Sequence, residues 1–281
     1  MSILSQKEKA EVFLKLHSGG QILVLPNAWD VASARILEDL GYPSIATTSA
    51  GVAAVLGYPD GQHMHRDEML EAVQRIANAV RVPLTADMES GYGHSSEEVA
   101  ETATAVLQAG AVGMNLEDVV DEAENSQVEM PLQVEKIKAI RGASASFDVH
   151  LVLNARTDIY LNLIGDPETA YERTVARLNA YRHAGADCLF APGIRDQEII
   201  AKLVTEVEGP LNILVSPGCP RLKELQRMGV ARASTGSSAM RATLGLLRRI
   251  GKELMDSGEY SLLFEGAIPY VEVNQILARA K

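Results

Sequence analysis

Cysteine, tryptophan and positive charge are all scarce in this sequence. Its 281 residues include two cysteines and one tryptophan, and the formal net charge is −11 at pH 7. Two cysteines cannot form a disulfide framework, and neither belongs to a Cys-x-x-Cys metal-binding pattern. The negative charge argues against nucleic acid or an anionic membrane surface as a partner. An anionic small molecule is still allowed, because a few local cations or a metal ion decide its binding.

Long apolar runs are also absent. A membrane-spanning helix needs about 20 consecutive apolar residues, and no segment approaches that length. The N-terminal stretch has the pattern of an amphipathic helix that ends at Gly19-Gly20, not that of a signal peptide, so we expect a cytoplasmic protein. The composition, 47% hydrophobic and 22% charged, is that of an ordinary globular chain. With no linker or change of composition, we expect a single domain over residues 1–281.

Short apolar segments alternate along the chain with stretches of helical periodicity. The apolar segments are continuous, which is typical of strands buried on both faces of a parallel sheet. We predict strands at 21–26, 43–48, 83–89, 111–118, 150–156, 187–192, 211–217 and 231–236. We predict helices at 30–40, 66–80, 95–109, 131–141, 167–184, 196–207, 220–228 and 237–256, with one more in the tail. Helices that end in glycine and lead into a strand recur at Gly41, Gly110, Gly185 and Gly229. Eight such units favour an α/β fold, a (β/α)8 TIM barrel with extra C-terminal helices, over a doubly wound sheet.

Acidic residues follow neighbouring strands at the end where such barrels carry their active sites. Asp87 and Glu89 close the third predicted strand, Glu117 closes the fourth, and Asp60 lies in the loop after the second. If the segment stays extended, Asp87 and Glu89 face the same way. Crowded carboxylates repel unless a proton or a cation joins them. Oxygen ligands without His or Cys favour Mg²⁺, with Mn²⁺ possible, over Zn²⁺. The competing interpretation is that these acids cap helices or form salt bridges at strand ends. It explains a single acid better than three acids on neighbouring strands.

Arg156 emerges from the fifth predicted strand. Its guanidinium fork suits a carboxylate such as that of a 2-oxo acid. Alternatively it neutralises Glu117 or Asp158, and both roles can hold together. The TTSAG segment follows the second strand, and its backbone N–H groups can form an oxyanion hole.

The combination of PNAWD, TTSAGVAAVLGYPDG, DMESGYG, LED and NARTD, in this order, resembles the isocitrate lyase / phosphoenolpyruvate mutase superfamily. The likeness runs over most of the chain. It implies a Mg²⁺-dependent lyase or mutase-type enzyme that acts on a small 2-oxo acid. Members make or cleave a C–C or P–C bond beside an enolate.

The resemblance also implies roles for individual residues. By position, Asp87 is the direct metal ligand, and it contacts the substrate through the metal. Glu89 and Glu117 bind the metal through water, Glu117 being counted among the catalytic groups, and Asp60 completes the metal shell. The substrate is held by a second set, which comprises Arg156 as the carboxylate clamp and Ser49 and Ala50 as backbone donors to its oxygens. Trp29, the sole tryptophan, either lines the pocket and contacts the substrate or belongs to the core.

The loop after Glu117 departs from the lyase pattern. Lyases that cleave isocitrate or methylisocitrate carry a Lys-(Lys/Arg)-Cys-Gly-His motif there, whereas this chain reads EDVVDEAENSQVEMPL. We therefore do not expect those activities by the usual mechanism. Phosphonate-processing members place Asn-Ser in this gating loop, and Asn125-Ser126 matches that spacing as a substrate contact. The loop lacks Lys and Arg, however, and Pro192 stands where those enzymes have His.

Two other function classes stay open at this point. The chain can be a barrel that binds a 2-oxo acid without turning it over, since the gating loop lacks a proton donor. It can also be an unrelated aldolase that uses a Lys Schiff base, which the absence of Lys from every predicted strand opposes. By resemblance we expect a homotetramer in which the C-terminal helices, from Ser237 onward, pack between subunits.

Overall fold

The computed structural model describes residues 4–121 and 126–278. Its strands are β1 (Leu23–Leu25), β2 (Asn27–Ala28), β3 (Ile45–Thr47), β4 (Leu84–Asp87), β5 (Gly113–Leu116), β6 (Val119–Asp121), β7 (Ser126–Gln127), β8 (Val152–Arg156), β9 (Cys188–Phe190), β10 (Leu211–Leu214) and β11 (Arg232–Ser234). Its α-helices are α1 (Gln6–Leu16), α2 (Val31–Asp39), α3 (Ser49–Leu56), α4 (Arg66–Ala79), α5 (Ser96–Gln108), α6 (Met130–Ala145), α7 (Ala170–Ala184), α8 (Gln197–Glu206), α9 (Leu222–Met228), α10 (Ser238–Asp256) and α11 (Tyr270–Ala278).

The main sheet is a parallel barrel. Its strand order is β1-β11-β10-β9-β8-β5-β4-β3-β2. β1 and β2 occupy one strand position of the barrel and are separated by Pro26. Proline has no N–H to donate to the hydrogen bonds between strands. β1 pairs with β11 while β2 pairs with β3, so the sheet closes on itself. The predicted (β/α)8 barrel is confirmed.

The glycine joints predicted from the sequence lie where the chain turns from helix to strand. Gly41, Gly110, Gly185 and Gly229 all have φ between 86° and 117°, a range that side chains with a Cβ rarely adopt. The start of helix α5 is also fixed by local sequence. The Ser95 hydroxyl accepts a hydrogen bond from the backbone N–H of Glu98, and the Glu98 carboxylate accepts one from the backbone N–H of Ser95. This is a capping box, and it sets the start of α5.

Helix α1 closes the amino-terminal end of the barrel. Phe13 is fully buried and packs with Leu25, Val112 and Val152 beneath the sheet. Gln6 donates from its side chain to backbone carbonyls beside the strands. Helix α1 therefore leaves the carboxyl end of the barrel as the open end, where barrels of this type bind their ligands.

Several sequence-based details differ from the structure. The strands predicted to reach 89 and 118 end at Asp87 and Leu116, and α6 runs beyond 141 to Ala145. Helix α3 was not predicted, because SAGVAAVL follows β3 with no turn signal and no polar face. No strand was predicted in the loop after Glu117, yet the described part of that loop contains the antiparallel pair β6 and β7.

The C-terminal region carries an exposed apolar surface. Leu247 on α10 is 64% exposed, and Phe264 and Tyr270 beyond it are 71% and 83% exposed. Among the described residues, no helix combines the length and apolar character needed to cross a membrane. The cytoplasmic location expected from the sequence stays a prediction.

Candidate active site at the carboxyl end of the barrel

The acids and the arginine singled out in the sequence lie at the carboxyl ends of adjacent strands. Asp87 ends β4, Glu117 follows β5, and Arg156 ends β8, in the order in which these strands pair. A cavity of about 1150 Å³ opens there, and Asp60, Glu89 and Glu117 are among its lining residues. The barrel therefore brings the predicted site residues to one end.

Asp87 is held from two sides. It is 8% exposed. Its Oδ2 accepts from both the backbone N–H and the hydroxyl of Ser49, each at 2.9 Å. Its Oδ1 accepts from Nδ2 of Asn115 at 3.0 Å, and its own N–H donates to Oγ1 of Thr47 at 2.8 Å. Because Ser49 begins helix α3, the helix dipole also favours negative charge at this position. The carboxylate consequently has one defined orientation.

Glu89 reaches the site by a different route from the one expected. Its φ is 50°, a left-handed conformation that side-chain-bearing residues adopt rarely. The alternation of an extended strand therefore cannot explain why it shares a site with Asp87. The Glu89 carbonyl accepts from the N–H of Glu117 at 2.8 Å, which ties the turn to the next strand. Tyr92 donates its hydroxyl to Oε1 of Glu89 at 3.4 Å.

Glu117 and Arg156 form a buried ion pair that also includes Asp158. Nη1 of Arg156 donates to Glu117, while Nε and Nη2 donate to Oδ1 of Asp158 at 2.8 and 2.6 Å. Burial raises the pKa of Glu117 well above its ordinary value, and the charge of Arg156 opposes this. The charges of Asp158, Asp87 and Glu89 raise the Glu117 pKa further. Four carboxyl groups thus interact around one guanidinium.

Arg156 performs the neutralising role that the sequence allowed. All three of its side-chain nitrogens donate to Glu117 or Asp158, and the ring of Phe190 lies 5.7 Å from its guanidinium carbon. A substrate carboxylate would have to use the remaining N–H bonds of Nη1 and Nη2, or displace one acid. The clamp role stays a prediction.

The acids do not form a ready-made coordination cluster. Within residues 4–121 and 126–278, no three His, Cys, Asp or Glu side chains are arranged to hold a metal ion directly. Asp87 is bound by Ser49 and Asn115, Glu117 by Arg156, and Asp60 lies exposed at the cavity wall. Mg²⁺ typically takes one or two carboxylates and keeps several waters. The oxygen-only donors and the surplus of carboxylates therefore fit Mg²⁺ bound largely through water.

The proposed oxyanion donors lie at the start of α3. The N–H of Ser49 is used by Asp87, and Ala50 is the next residue in the first helical turn. First-turn N–H groups have no acceptor within their own helix. Trp29 packs against Gly51 of α3. It lines a separate groove of about 460 Å³ between helices α2, α3 and α4. Both substrate roles stay predictions.

The gating loop is only partly described. Asn125 lies outside the described residues, and Ser126 is half-buried in β7. The next residue, Gln127, lines the cavity and donates from Nε2 to Asp118 at 2.9 Å and to Thr157 at 3.2 Å. These bonds fasten the loop to β5 and β8.

Several cavity residues were not recognised in the sequence. Gln62 connects two loops, since it donates to Ser90 at 2.6 Å and accepts from the N–H of Tyr92 at 3.0 Å. Lys136 on α6 is buried, lines the cavity and donates to the carbonyl of Gly93 at 3.0 Å. Neither belongs to a strand end or to the family motifs from which the site residues were predicted. The polar residue inside the apolar strand GMNL, Asn115, was the one detectable clue that went unused.

Comparison with known proteins agrees with this geometry. The sequence model for phosphoenolpyruvate phosphomutase matches residues 13–255. The oxaloacetate decarboxylase of Chromohalobacter salexigens is 30% identical over 260 residues, 88% of this chain and 87% of that protein. A crystal structure from Burkholderia cenocepacia, of a protein provisionally named a lyase/mutase, is 36% identical with a TM-score of 0.91 over 97% of this chain and 96% of that one. Oxaloacetate acetylhydrolase, solved with its product oxalate, is 27% identical with a TM-score of 0.85 over 96% and 94%.

The class of protein follows from the barrel and the acidic residues at its carboxyl end. It is a (β/α)8 barrel with a polar site at the ends of β4, β5 and β8. The chain belongs to the phosphoenolpyruvate phosphomutase family. The superfamily resemblance seen in the sequence is thereby confirmed.

Proposed function

We propose that this protein is a Mg²⁺-dependent enzyme that cleaves or forms the bond to C3 of a small 2-oxo acid through an enolate. The observation that carries the proposal is the meeting of Asp87, Glu89 and Glu117 with Arg156 at one end of the barrel. An uncompensated group of carboxylates favours a cation, and a cation beside a guanidinium favours a bidentate anionic substrate.

The acids divide the work of holding the cation. Asp87 is the direct ligand, since its carboxylate is already oriented by Ser49 and Asn115. Glu89, Glu117 and Asp60 hold water molecules around it. When bound, Mg²⁺ supplies Lewis-acid stabilisation of the negative charge that develops on the substrate oxygen.

The remaining site residues orient the substrate. Arg156 attracts its carboxylate, and the first-turn N–H of Ala50 in α3 faces the developing oxyanion. The N–H of Ser49 joins it only by releasing its bond to Asp87. Gln127 lines the cavity and contacts the substrate from the loop after Glu117, next to Ser126. The substrate contact expected of Asn125 concerns a residue outside the described ones.

Oxaloacetate is the first substrate to test. The relatives named above include an oxaloacetate decarboxylase and an oxaloacetate acetylhydrolase. The cavity of about 1150 Å³ also leaves room for a substituent larger than a carboxylate on C3. P–C chemistry is the less favoured branch, because no Lys or Arg occurs between Val119 and Pro131 to attract a phosphonate dianion.

The direct test is turnover of a panel of 2-oxo acids by the purified protein, with pyruvate formation followed by a coupled dehydrogenase. Activity is expected to require Mg²⁺ or Mn²⁺ and to disappear in chelator. Divalent ions decarboxylate oxaloacetate by themselves, so Asp87→Ala protein in the same buffer is the control. Full activity of Asp87→Ala would remove the metal mechanism.

Binding without turnover is the second candidate. The stretch from Val119 to Pro131 contains no Cys, His or Lys to act as a proton donor. Calorimetry with oxalate and Mg²⁺ separates the two functions, because tight binding with no turnover across the whole panel would support this candidate alone.

We also propose a homo-oligomer, a tetramer by family resemblance. Leu244, Leu247 and Met255 expose 50%, 64% and 86% of their surface on α10. An apolar surface of this extent is unusual on a monomer. Sedimentation of the wild-type protein tests the assembly.

A further inference from the structure

Asn115 connects the interior of the barrel to the proposed metal ligand. It lies on β5, is 6% exposed, and donates from Nδ2 to Oδ1 of Asp87 at 3.0 Å. Its own Oδ1 accepts from Nδ2 of Asn154 at 2.8 Å and from Nη2 of Arg232 at 3.5 Å. Both hydrogen-bonding ends of one amide are therefore in use.

Arg232 is the unusual member of this group. It is 1% exposed, and no carboxylate within the described residues lies within 4.0 Å of its guanidinium. Its Nε and Nη1 have no hydrogen-bond partner in the described part of the chain. Burial lowers its pKa, while the nearby Cys188 thiol and the negative charge of Asp87 act in the opposite direction. An arginine keeps its proton in proteins, and a buried charge without a paired acid is costly.

The chemistry at the two ends of Asn115 fixes its direction. An ionised carboxylate only accepts hydrogen bonds, and a guanidinium only donates them. With Asp87 at one end and Arg232 at the other, the amide has one favourable orientation, NH₂ towards Asp87 and oxygen towards Arg232. The reversed amide would place oxygen against oxygen at Asp87 and NH₂ against the cation at Arg232. Asn154 alone could not impose this, since its own amide can turn over with that of Asn115.

We propose that Arg232 and Asn115 are positioning residues for Asp87, with Arg232 acting through Asn115. Asn115 holds one oxygen of the carboxylate and Ser49 holds the other, so the lone pairs left for a cation keep a single direction. This inference rests on the proposed function, because it presupposes that Asp87 binds a divalent ion. Arg232 itself touches neither the ion nor the substrate.

The test is Mn²⁺ binding, measured by calorimetry and by electron paramagnetic resonance, on the full-length protein. Asn115→Leu and Arg232→Met are each expected to weaken Mn²⁺ binding about 10- to 100-fold, the usual effect of removing a group that orients a metal ligand. Because the two residues act in series, the double variant should bind Mn²⁺ no more weakly than Asn115→Leu. Multiplying effects would show that Arg232 does not act through Asn115.

Asn212 provides a matched control. It is fully buried on β10, opposite Arg232 in the strand register. Neither the oxygen nor the nitrogen of its amide has a hydrogen-bond partner among the residues that the structure describes. Asn212→Leu removes a buried amide from the same part of the barrel but not from the connection to Asp87. Its Mn²⁺ affinity is expected to equal that of the wild type. If Arg232→Met does not fold, Arg232→Gln serves in its place, because a glutamine amide can turn over and no longer imposes one orientation on Asn115.

The outcomes separate this inference from the proposed function. Folded Asn115→Leu and Arg232→Met proteins with wild-type Mn²⁺ affinity would overturn the positioning role. Equal Mn²⁺ binding by the wild type and by Asp87→Ala would instead overturn the metal site on which the proposed function depends. Circular dichroism on each variant identifies a loss of affinity that comes from misfolding.

Discussion

The buried imidazole of His17 should make the fold sensitive to mild acid. His17 follows helix α1 and is 5% exposed. Its Nδ1 lies 2.9 Å from the carbonyl of Phe13, and Nε2 has no partner among the described residues. Burial, with the charge of Arg232, lowers its pKa from 6.5 to about 4, against the opposing effects of the Phe13 carbonyl and Asp187.

The sign follows from the direction of this shift. The folded state favours the neutral ring, so the stability linked to His17 is complete above pH 6.5 and is lost as the pH falls towards about 4. At about 1.4 kcal/mol per pKa unit, the whole shift corresponds to about 3 kcal/mol. About 2 kcal/mol of that is lost by about pH 5, because most of the unfolded chain then carries a protonated His17.

Urea denaturation of the wild type and of His17→Phe, at one protein concentration, measures this loss. Phe retains the aromatic contact with Phe13 but cannot titrate. The gap in unfolding free energy between the two proteins should move by about 2 kcal/mol in favour of His17→Phe between about pH 7.5 and about pH 5. A gap that is the same at both pH values would refute the reasoning. His183→Gln, which removes an exposed histidine, is the control.

Three substitutions test other parts of the structure. A Cβ at Gly113 would lie 2.8 Å from the ring of Phe13, so Gly113→Ala should reduce the unfolding free energy by about 1–3 kcal/mol in urea titrations; an unchanged midpoint would contradict the packing. A Cβ at Gly51 would lie 2.8 Å from Cβ of Trp29, so Gly51→Ala should displace the start of α3 and lower kcat at least about 10-fold; wild-type kinetics would argue against a role for that helix. Leu247→Asp should shift sedimentation towards smaller species, and an unaltered profile would exclude α10 from the interface.

The barrel was accessible from local sequence alone. Continuous apolar segments require burial on both faces, and Gly41, Gly110, Gly185 and Gly229 mark the helix ends because only glycine adopts their backbone conformation cheaply. Once the strands are parallel, their carboxyl ends must share one edge. That is why Asp87, Glu117 and Arg156 could be placed together without any coordinates.

The detailed site could not be read in the same way. Helix α3 has no polar face to reveal its period, and it begins at Ser49 because the backbone there meets Asp87 across the barrel. The left-handed conformation of Glu89 depends on its bond to the N–H of Glu117, 28 residues along the chain. Neither leaves a mark on neighbouring residues.

By itself, then, the sequence determined which residue types stand at the strand ends and how many helix–strand units surround them, since both depend on local periodicity and on glycine. Only the tertiary structure decided their partners: Arg156 pairs with Glu117 and Asp158, and Asn115 lies between Asp87 and Arg232. Such pairings join residues 39 and 117 positions apart. Chain closure brings them within hydrogen-bonding distance, and the low dielectric of the barrel then makes their charges act strongly on one another.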